Sequence, residues 1–200
     1  IDIDKYDKKH NLCERNMIAD GDEKIIIHVS NFRPLKRILD VLKIFQKINE
    51  KINSKLIMVG DGPDKKKAKE FLRKHNLKNS VIFLGKTNQV DEILCSSDLF
   101  LLPSEKESFG LAALEAMALK VPVISTNTGG LKDLNINGNS GYTSDVGDIN
   151  SMAENAIKIL SDNSLEKKYR SQAFENAKKY DIKKVIPLYE KIYNEALNIY

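Results

Sequence analysis

Histidine and cysteine are scarce in this chain, three and two in 200 residues. Cys13 and Cys95 lie far apart, without the short paired spacing of a zinc site. Such usage fits a reducing compartment such as the cytoplasm, with Cys95 reading as a core thiol in an apolar helical stretch. His10, His28 and His75 form no cluster with Cys or carboxylates, which argues against a structural metal site. No apolar run approaches the roughly eighteen residues of a membrane span. The opening Ile1-Asp2-Ile3-Asp4 lacks the pattern of a signal peptide; it also lacks Met, which suits a piece of a longer protein. The formal net charge of +4 comes from scattered Lys. No stripe of Arg and aromatics accompanies it, so nucleic acid is not indicated as a partner, and most Lys read as solvated helix faces. There is no internal repeat and no low-complexity segment.

What is present is a globular composition, 42% hydrophobic and 30% charged, enough for one ordinary domain with a buried core. Short, nearly continuous apolar runs at 25–30, 56–59, 81–84, 99–102 and 121–125 predict strands covered on both faces. Amphipathic segments separate them. The first places Ile38, Val41, Leu42, Phe45 and Ile48 on one helix face, and others run over 64–75, 88–96 and 109–119. This alternation predicts an α/β fold, a doubly wound parallel sheet of Rossmann-like type with right-handed crossovers. Ligands of such sheets bind beyond the carboxyl ends of the strands. Gly- and Asn-rich stretches at 127–130 and 135–141 read as turns; Gly129-Gly130 reads as flexible and is assigned no ligand contact. Residues 141–143 suit a short sixth strand, and helices follow over 149–160, 165–179 and 182–200. Residues 1–180 are expected to form the domain and 181–200 a C-terminal helix.

The loop after the fourth strand carries the most chemistry. Ser108 is placed to cap the next helix, which would leave the amides of Phe109, Gly110 and Leu111 as unpaired donors. Gly110 removes a side chain where a ligand can approach. Together they make an anion site suited to a diphosphate. Glu107 and Glu115 stand eight residues apart, about 12 Å if the interval were all helical. That exceeds the roughly 5–9.5 Å of a glycosidase pair and suits two carboxylates at opposite ends of an extended ligand. An ordinary capped helix with a surface Glu accounts for the same residues equally well. After the first strand, Arg33, Lys36 and Arg37 meet a helix start. Each cation opposes the helix dipole there by about 0.3–1 kcal/mol, a conflict that a bound anion would relieve; a solvated basic helix start is the alternative. Gly60-Asp61-Gly62-Pro63 is a turn by composition.

Glu107-Ser108-Phe109-Gly110-Leu111 with Glu115 resembles the Glu-x7-Glu signature of retaining glycosyltransferases with two Rossmann-like domains, the GT-B fold of family 4. The resemblance is to the C-terminal, donor-binding domain and covers nearly the whole chain. His28-Val29-Ser30-Asn31-Phe32-Arg33-Pro34-Leu35-Lys36-Arg37 is similar to the loop that supplies cations to the donor diphosphate. It implies Arg33 as one phosphate ligand and Lys36, in preference to Arg37, as the other. Val59-Gly60-Asp61-Gly62-Pro63 and Phe83-Leu84-Gly85-Lys86 resemble the next two loops. There Gly60 would let the chain pass close to the nucleotide, and Gly85 and Lys86 would meet the uracil mostly through backbone groups. Glu115 would accept from the ribose and Glu107 from the donor sugar. Residues 30–37, 104–111 and 145–148 point within the family to transfer of N-acetylglucosamine from UDP to L-malate, the first step of bacillithiol biosynthesis. Two departures stand out. Leu119-Lys120-Val121 replaces a small residue–Gly pair, which touches only a helix end. Leu131-Lys132-Asp133-Leu134 lacks the usual Pro-Glu.

The resemblance implies electrostatic stabilisation of departing UDP by Arg33, Lys36 and the amides near Phe109, with no cofactor. No Asp-x-Asp stands at a strand end, so no divalent cation is expected; Asp145 and Asp148 read better as a solvated loop. UDP or UDP-N-acetylglucosamine is the implied partner, with malate held by an N-terminal domain absent from this chain. The helix at 182–200 would cross back to that domain through Ile182, Ile186, Tyr189, Ile192 and Tyr193, though a local contact fits as well. A homo-oligomer is left open. Another glycosyltransferase of this fold, acting on a polysaccharide or glycolipid, is the nearest rival. A non-catalytic nucleotide-sugar-binding domain is the rival of another class. A nicotinamide dehydrogenase fits poorly, since no Gly-x-Gly-x-x-Gly follows the first strand.

Overall fold

The computed structural model describes residues 1–9, 15 and 18–197. Six strands form one sheet in the order β3-β2-β1-β4-β5-β6: β1 (Lys24–Val29), β2 (Ser54–Val59), β3 (Val81–Gly85), β4 (Leu99–Leu102), β5 (Val123–Thr126) and β6 (Gly141–Ser144). Every pairing is parallel. The run Ile25-Ile26-Ile27 shows why: Ile26 enters one core layer while Ile25 and Ile27 enter the other, so both faces need apolar cover. Helices α2 (Ile38–Asn49), α3 (Lys65–Lys74) and α7 (Ile149–Leu160) cover the first face, with Phe45, Leu72 and Ile159 in that core. Helices α1 (Ile3–Lys9), α4 (Val90–Cys95), α5 (Leu111–Ala118) and α8 (Asn163–Ala177) cover the second, through Ile3, Leu94, Leu114 and Ala173. Each such large side chain fully buried contributes about 1.5–3 kcal/mol.

Strand order reverses between β1 and β4, and the loops that follow these two strands diverge to opposite faces. A crevice opens between them at their carboxyl ends. The opposite end of the sheet is closed by α8. There Asp98, buried just before β4, accepts hydrogen bonds from Ile25 N (2.7 Å), Arg15 Nη1 (2.9 Å) and Arg170 Nη2 (2.9 Å). Arg170 also reaches Glu166 Oε1 at 2.9 Å and Lys120 O at 3.2 Å, so a buried charge is fully partnered, as burial requires.

Several boundaries differ from the sequence expectation. β5 begins at Val123 and not at 121, because Pro122 has no N–H for the ladder, although its carbonyl accepts from Phe100 N at 2.9 Å. Lys120 adopts φ +62° just after α5, a left-handed turn at the position of the sequence departure noted above. α1, the 3-10 turn at Pro34–Lys36 and the short α6 (Leu131–Leu134) were not expected from periodicity, being too short to show any. Cys95 is disulfide-bonded, which corrects its reading as a core thiol in a reducing setting; Cys13 and His10 lie outside the described residues. The last helix, α9 (Ile182–Leu197), has no buried residue and leaves Ile186, Tyr189, Ile192 and Tyr193 exposed. Among the described residues, no helix is long and apolar enough to cross a membrane, and no group of three His, Cys, Asp or Glu could hold a metal ion.

Candidate functional site

At the switch point lies a cleft of about 490 Å³ lined by Asn31, Arg33, Lys36, Glu107, Ser108 and Gly129, with Leu35, Lys106 and Thr128 completing the wall. The loop after β1 reaches it through an unusual backbone. Phe32 is fully buried at φ +40°, a strained setting for an aromatic residue. The 3-10 turn Pro34–Lys36 follows, then Arg37 at φ +52° as the cap of α2. These turns send successive cations in different directions. Arg33 and Lys36 face the cleft. Arg37 instead chelates Asp40, with Nε at 2.5 Å from Oδ2, and lies 3.7 Å from Glu105. Asp40, in the first turn of α2, offsets the charge–dipole conflict that Arg37 would otherwise impose. Of the two cations Lys36 and Arg37, Lys36 lines the cleft and Arg37 is turned to Asp40.

Lys36 Nζ is ion-paired and hydrogen-bonded to Glu107 Oε2, both side chains only 16% exposed. Arg33 is exposed and, among the described residues, has no carboxylate partner. The two loops are pinned to each other by Glu105 N donating to Leu35 O at 2.8 Å. The cleft therefore holds one shielded cation–carboxylate pair and an unmatched guanidinium, an arrangement that favours an anion.

The cap of α5 is Gly110, at φ +92° with no side-chain cap bond, and the helix starts at Leu111. Ser108 is thus not the N-cap, which corrects the sequence expectation. The backbone is left-handed at residue 110, and a Cβ there would lie 2.6 Å from Leu131 Cδ2, so glycine holds this position and helical geometry begins two residues later than a Ser108 cap would start it. The donors at the helix start become Leu111, Ala112 and Ala113. Phe109 is turned outward, its ring 5.5 Å edge-on from Tyr180, and Leu111 is 60% exposed.

The remaining predicted residues lie outside the cleft. A Cβ on Gly60 (φ +121°) would stand 1.8 Å from Ser30 O, and Gly60 N donates to Gly85 O at 2.7 Å. Gly60 therefore lies close against the β1 loop and is bonded to the end of β3 through Gly85. Lys86 is exposed beyond β3. Glu115 is half-buried on α5, and burial, then the nearby Asp91, push its carboxyl above the ordinary range. Burial, then Glu115 and Asp91, raise the Tyr6 hydroxyl above its ordinary value. The two glutamates are thus in separate surroundings, Glu107 beside a cation and Glu115 beside an acid and a phenol.

Asn31, Lys106, Thr128 and Gly129 also line the cleft, although the sequence did not single them out as site residues. For Gly129 the expectation of a merely flexible turn is corrected: a Cβ there would lie 1.9 Å from Glu107 O, and one at Gly130 would lie 2.4 Å from Ser108 O. Gly130 N donates to Glu107 O at 3.1 Å. Consecutive glycines after a strand, facing a loop already singled out, were the available signal.

A model described as glycosyl transferases group 1 matches residues 14–180, and the chain belongs to that family. It is 40% identical over 197 residues to the N-acetyl-alpha-D-glucosaminyl L-malate synthase of Bacillus anthracis, covering 98% of this chain and 50% of that protein. It is 32% identical to the 2-deoxystreptamine N-acetyl-D-glucosaminyltransferase of Niallia circulans, over 80% of this chain and 40% of the relative. The chain thus spans about half the length of the curated relatives it matches. Among solved structures, S. aureus TarM, crystallised as a point mutant in complex with UDP, superposes with a TM-score of 0.81 at 26% identity, over 88% of this chain and 36% of TarM. The C-terminal domain of a group 1 glycosyl transferase (LpcC) from Francisella tularensis, crystallised by itself, shares the fold with a TM-score of 0.80 at 22% identity. It is covered to 99%, against 91% of this chain.

Proposed function

We propose that this chain is the donor-binding half of a retaining glycosyltransferase that moves N-acetylglucosamine from UDP-N-acetylglucosamine to the hydroxyl of L-malate, the first step of bacillithiol biosynthesis. The observation that carries this reading is the convergence of Arg33, Lys36 and Glu107 on one cleft in a chain of this family. Arg33 and Lys36 meet the donor diphosphate and take up the charge that grows as the bond from the anomeric carbon to phosphate breaks. The Lys36–Glu107 pair fits that role: phosphate arriving at Lys36 competes with Glu107 and leaves its carboxylate to accept from sugar hydroxyls. The start of α5 adds amide donors, Glu115 takes the ribose, and Gly85 with Lys86 borders the uracil. Charge neutralisation by these side chains makes a divalent cation unnecessary.

The malate site belongs to an N-terminal domain, toward which α9 presents its apolar face. The two named relatives share an N-acetylglucosaminyl group and differ in acceptor, which supports a donor site on this half and acceptor choice elsewhere. A cytoplasmic setting belongs to the same reading, and the Cys95 disulfide is the observation that stands against it.

Calorimetric titration of UDP and UDP-N-acetylglucosamine into the chain tests the donor site, and a malate transfer assay beside the full-length protein tests the division of labour. Positioning both reactants lowers a barrier by about 7–11 kcal/mol, so the chain alone is expected to bind donor and transfer almost nothing. Turnover near the full-length rate overturns the two-domain reading, and absence of UDP binding overturns the donor site.

A further inference from the structure

His28, at the carboxyl end of β1, is fully buried and takes no part in the cleft lining. Its Nδ1 lies 2.8 Å from Leu101 O and its Nε2 2.7 Å from Ser30 Oγ. A carbonyl can only accept, so Nδ1 carries the proton; in a neutral imidazole Nε2 is then an acceptor, and the Ser30 hydroxyl must donate to it. With its hydrogen committed, Ser30 Oγ is left to accept, and Phe32 N lies 3.3 Å away as the donor. The order of bonds is therefore fixed from the β4 carbonyl through the imidazole and hydroxyl to the amide of Phe32.

The amide at the end of that chain belongs to the residue held at φ +40°, directly before Arg33. The Phe32 ring is 6.2 Å from the His28 ring, with planes inclined by 29°, and meets Phe83 edge-on. Phe32 O accepts from Asp64 N at 3.1 Å. A left-handed, buried aromatic residue persists only where its surroundings over-determine it, and here they do so through its ring and both backbone polar groups. Burial holds the His28 imidazole down at about 4, against the opposing bond to Leu101 and with help from Lys36, so the ring stays neutral and keeps its acceptor nitrogen at neutral pH.

We propose that His28 and Ser30 are positioning residues for the phosphate site: a neutral, Nδ1-protonated His28 locks the Ser30 hydroxyl, which holds Phe32 in its left-handed turn and thereby aims Arg33 into the cleft. The proposal rests on the donor-site reading for its purpose, and on geometry alone for the relay. Neither residue touches the ligand, so their effect belongs to phosphate binding and not to the nucleoside.

The test uses the chain itself, since its core is closed on both faces and the Francisella domain of the same fold crystallised alone. UDP and uridine are titrated calorimetrically into the unsubstituted chain, Ser30→Ala and Ser30→Thr, with a thermal melt of each. A lost hydrogen bond of about 1 kcal/mol predicts a loss of UDP affinity of about fivefold in Ser30→Ala. Uridine affinity should be unchanged, and Ser30→Thr, which keeps the hydroxyl, should restore UDP binding. Nitrogen-15 spectra of the imidazole at neutral pH should show the Nδ1–H tautomer. Equal losses for UDP and uridine, or unaltered UDP binding by Ser30→Ala, overturn the positioning role, and an Nε2–H tautomer overturns the relay. If the unsubstituted chain binds no UDP, the donor reading fails and the assigned purpose with it; the tautomer and the Phe32 amide shift in Ser30→Ala still decide whether the relay exists.

Discussion

The two ends of the sheet use the same kinds of side chain to opposite effect. At the amino ends of the strands, Asp98 is ringed by Ile25 N, Arg15 and Arg170, and Arg170 is shared further with Glu166 and the Lys120 carbonyl. At the carboxyl ends, Lys36 has a single carboxylate partner in Glu107, and Arg33 has none among the described residues. The rear network is closed over by α8, whereas the front opens on a cleft of about 490 Å³. A buried charge with every bond made holds elements together and has nothing left for a ligand. A cation on the rim with one carboxylate partner, as Lys36, or none among the described residues, as Arg33, keeps bonding capacity for an anion.

The largest effect that should separate the two ends is on stability at the rear. Asp98→Ala removes the carboxylate that two guanidinium groups share and the acceptor of the Ile25 amide, and breaking a buried ion pair in this way costs about 3 kcal/mol or more. For a chain of this size each kcal/mol moves the melting temperature by about 2–4 °C, so a fall near 10 °C is expected in a thermal melt. Lys36→Ala, removing a cation at the rim, should move it far less. Equal shifts would erase the distinction between the ends.

Next in size is the effect on ligand binding at the front. Arg33→Ala is expected to weaken UDP by about 1.5–3 kcal/mol, the range for charged hydrogen bonds, while uridine binding and the melting temperature hardly change. Calorimetry with both ligands checks this, and a matching loss for uridine would remove Arg33 from the phosphates.

The smallest effects should distinguish the two glutamates. Glu107→Gln is expected to weaken UDP-N-acetylglucosamine and spare UDP, and Glu115→Gln to weaken UDP and uridine alike; a shared profile would refute their separation. Glu115 also has a pH signature. Its folded-state carboxyl is held above the usual value by burial and then by Asp91, so the folded chain binds more protons than the unfolded one between the ordinary and the raised value. Stability from this group therefore falls as pH rises through that window. Glu115→Gln should remove that slope in denaturant titrations taken from pH 4 to 7, and an unchanged slope would show that Glu115 is not the group responsible.

Much of this molecule was legible in its sequence. The runs around Ile25–Ile27, Leu56–Val59 and Leu99–Leu102 read as strands because cover on both faces demands unbroken apolar character. That Arg33, Lys36 and Glu107 stand in loops at the carboxyl ends of the strands was readable from residue types and strand positions, whereas the Lys36–Glu107 ion pair was not. The cap of α5 was misread because Ser108 has the better capping side chain, and nothing local reports the Leu131 methyl that selects glycine at 110. Gly129 was passed over for a similar reason: its partner, the Glu107 carbonyl, is distant in sequence and carries no side-chain signature.

Periodicity, composition and residue type by themselves determined the parallel α/β sheet, the two covered faces and the loops in which charge would gather, because these depend on patterns within one segment. Tertiary structure alone decided which cation faces the cleft. Arg37 is drawn to Asp40 while Lys36, one residue away, meets Glu107 from another loop, and that choice is set by two left-handed turns. It also decided that Glu107 and Glu115, so regular in their spacing, occupy unlike surroundings. The reason is that directions and partners depend on backbone closure between segments far apart in the chain, which no local pattern encodes.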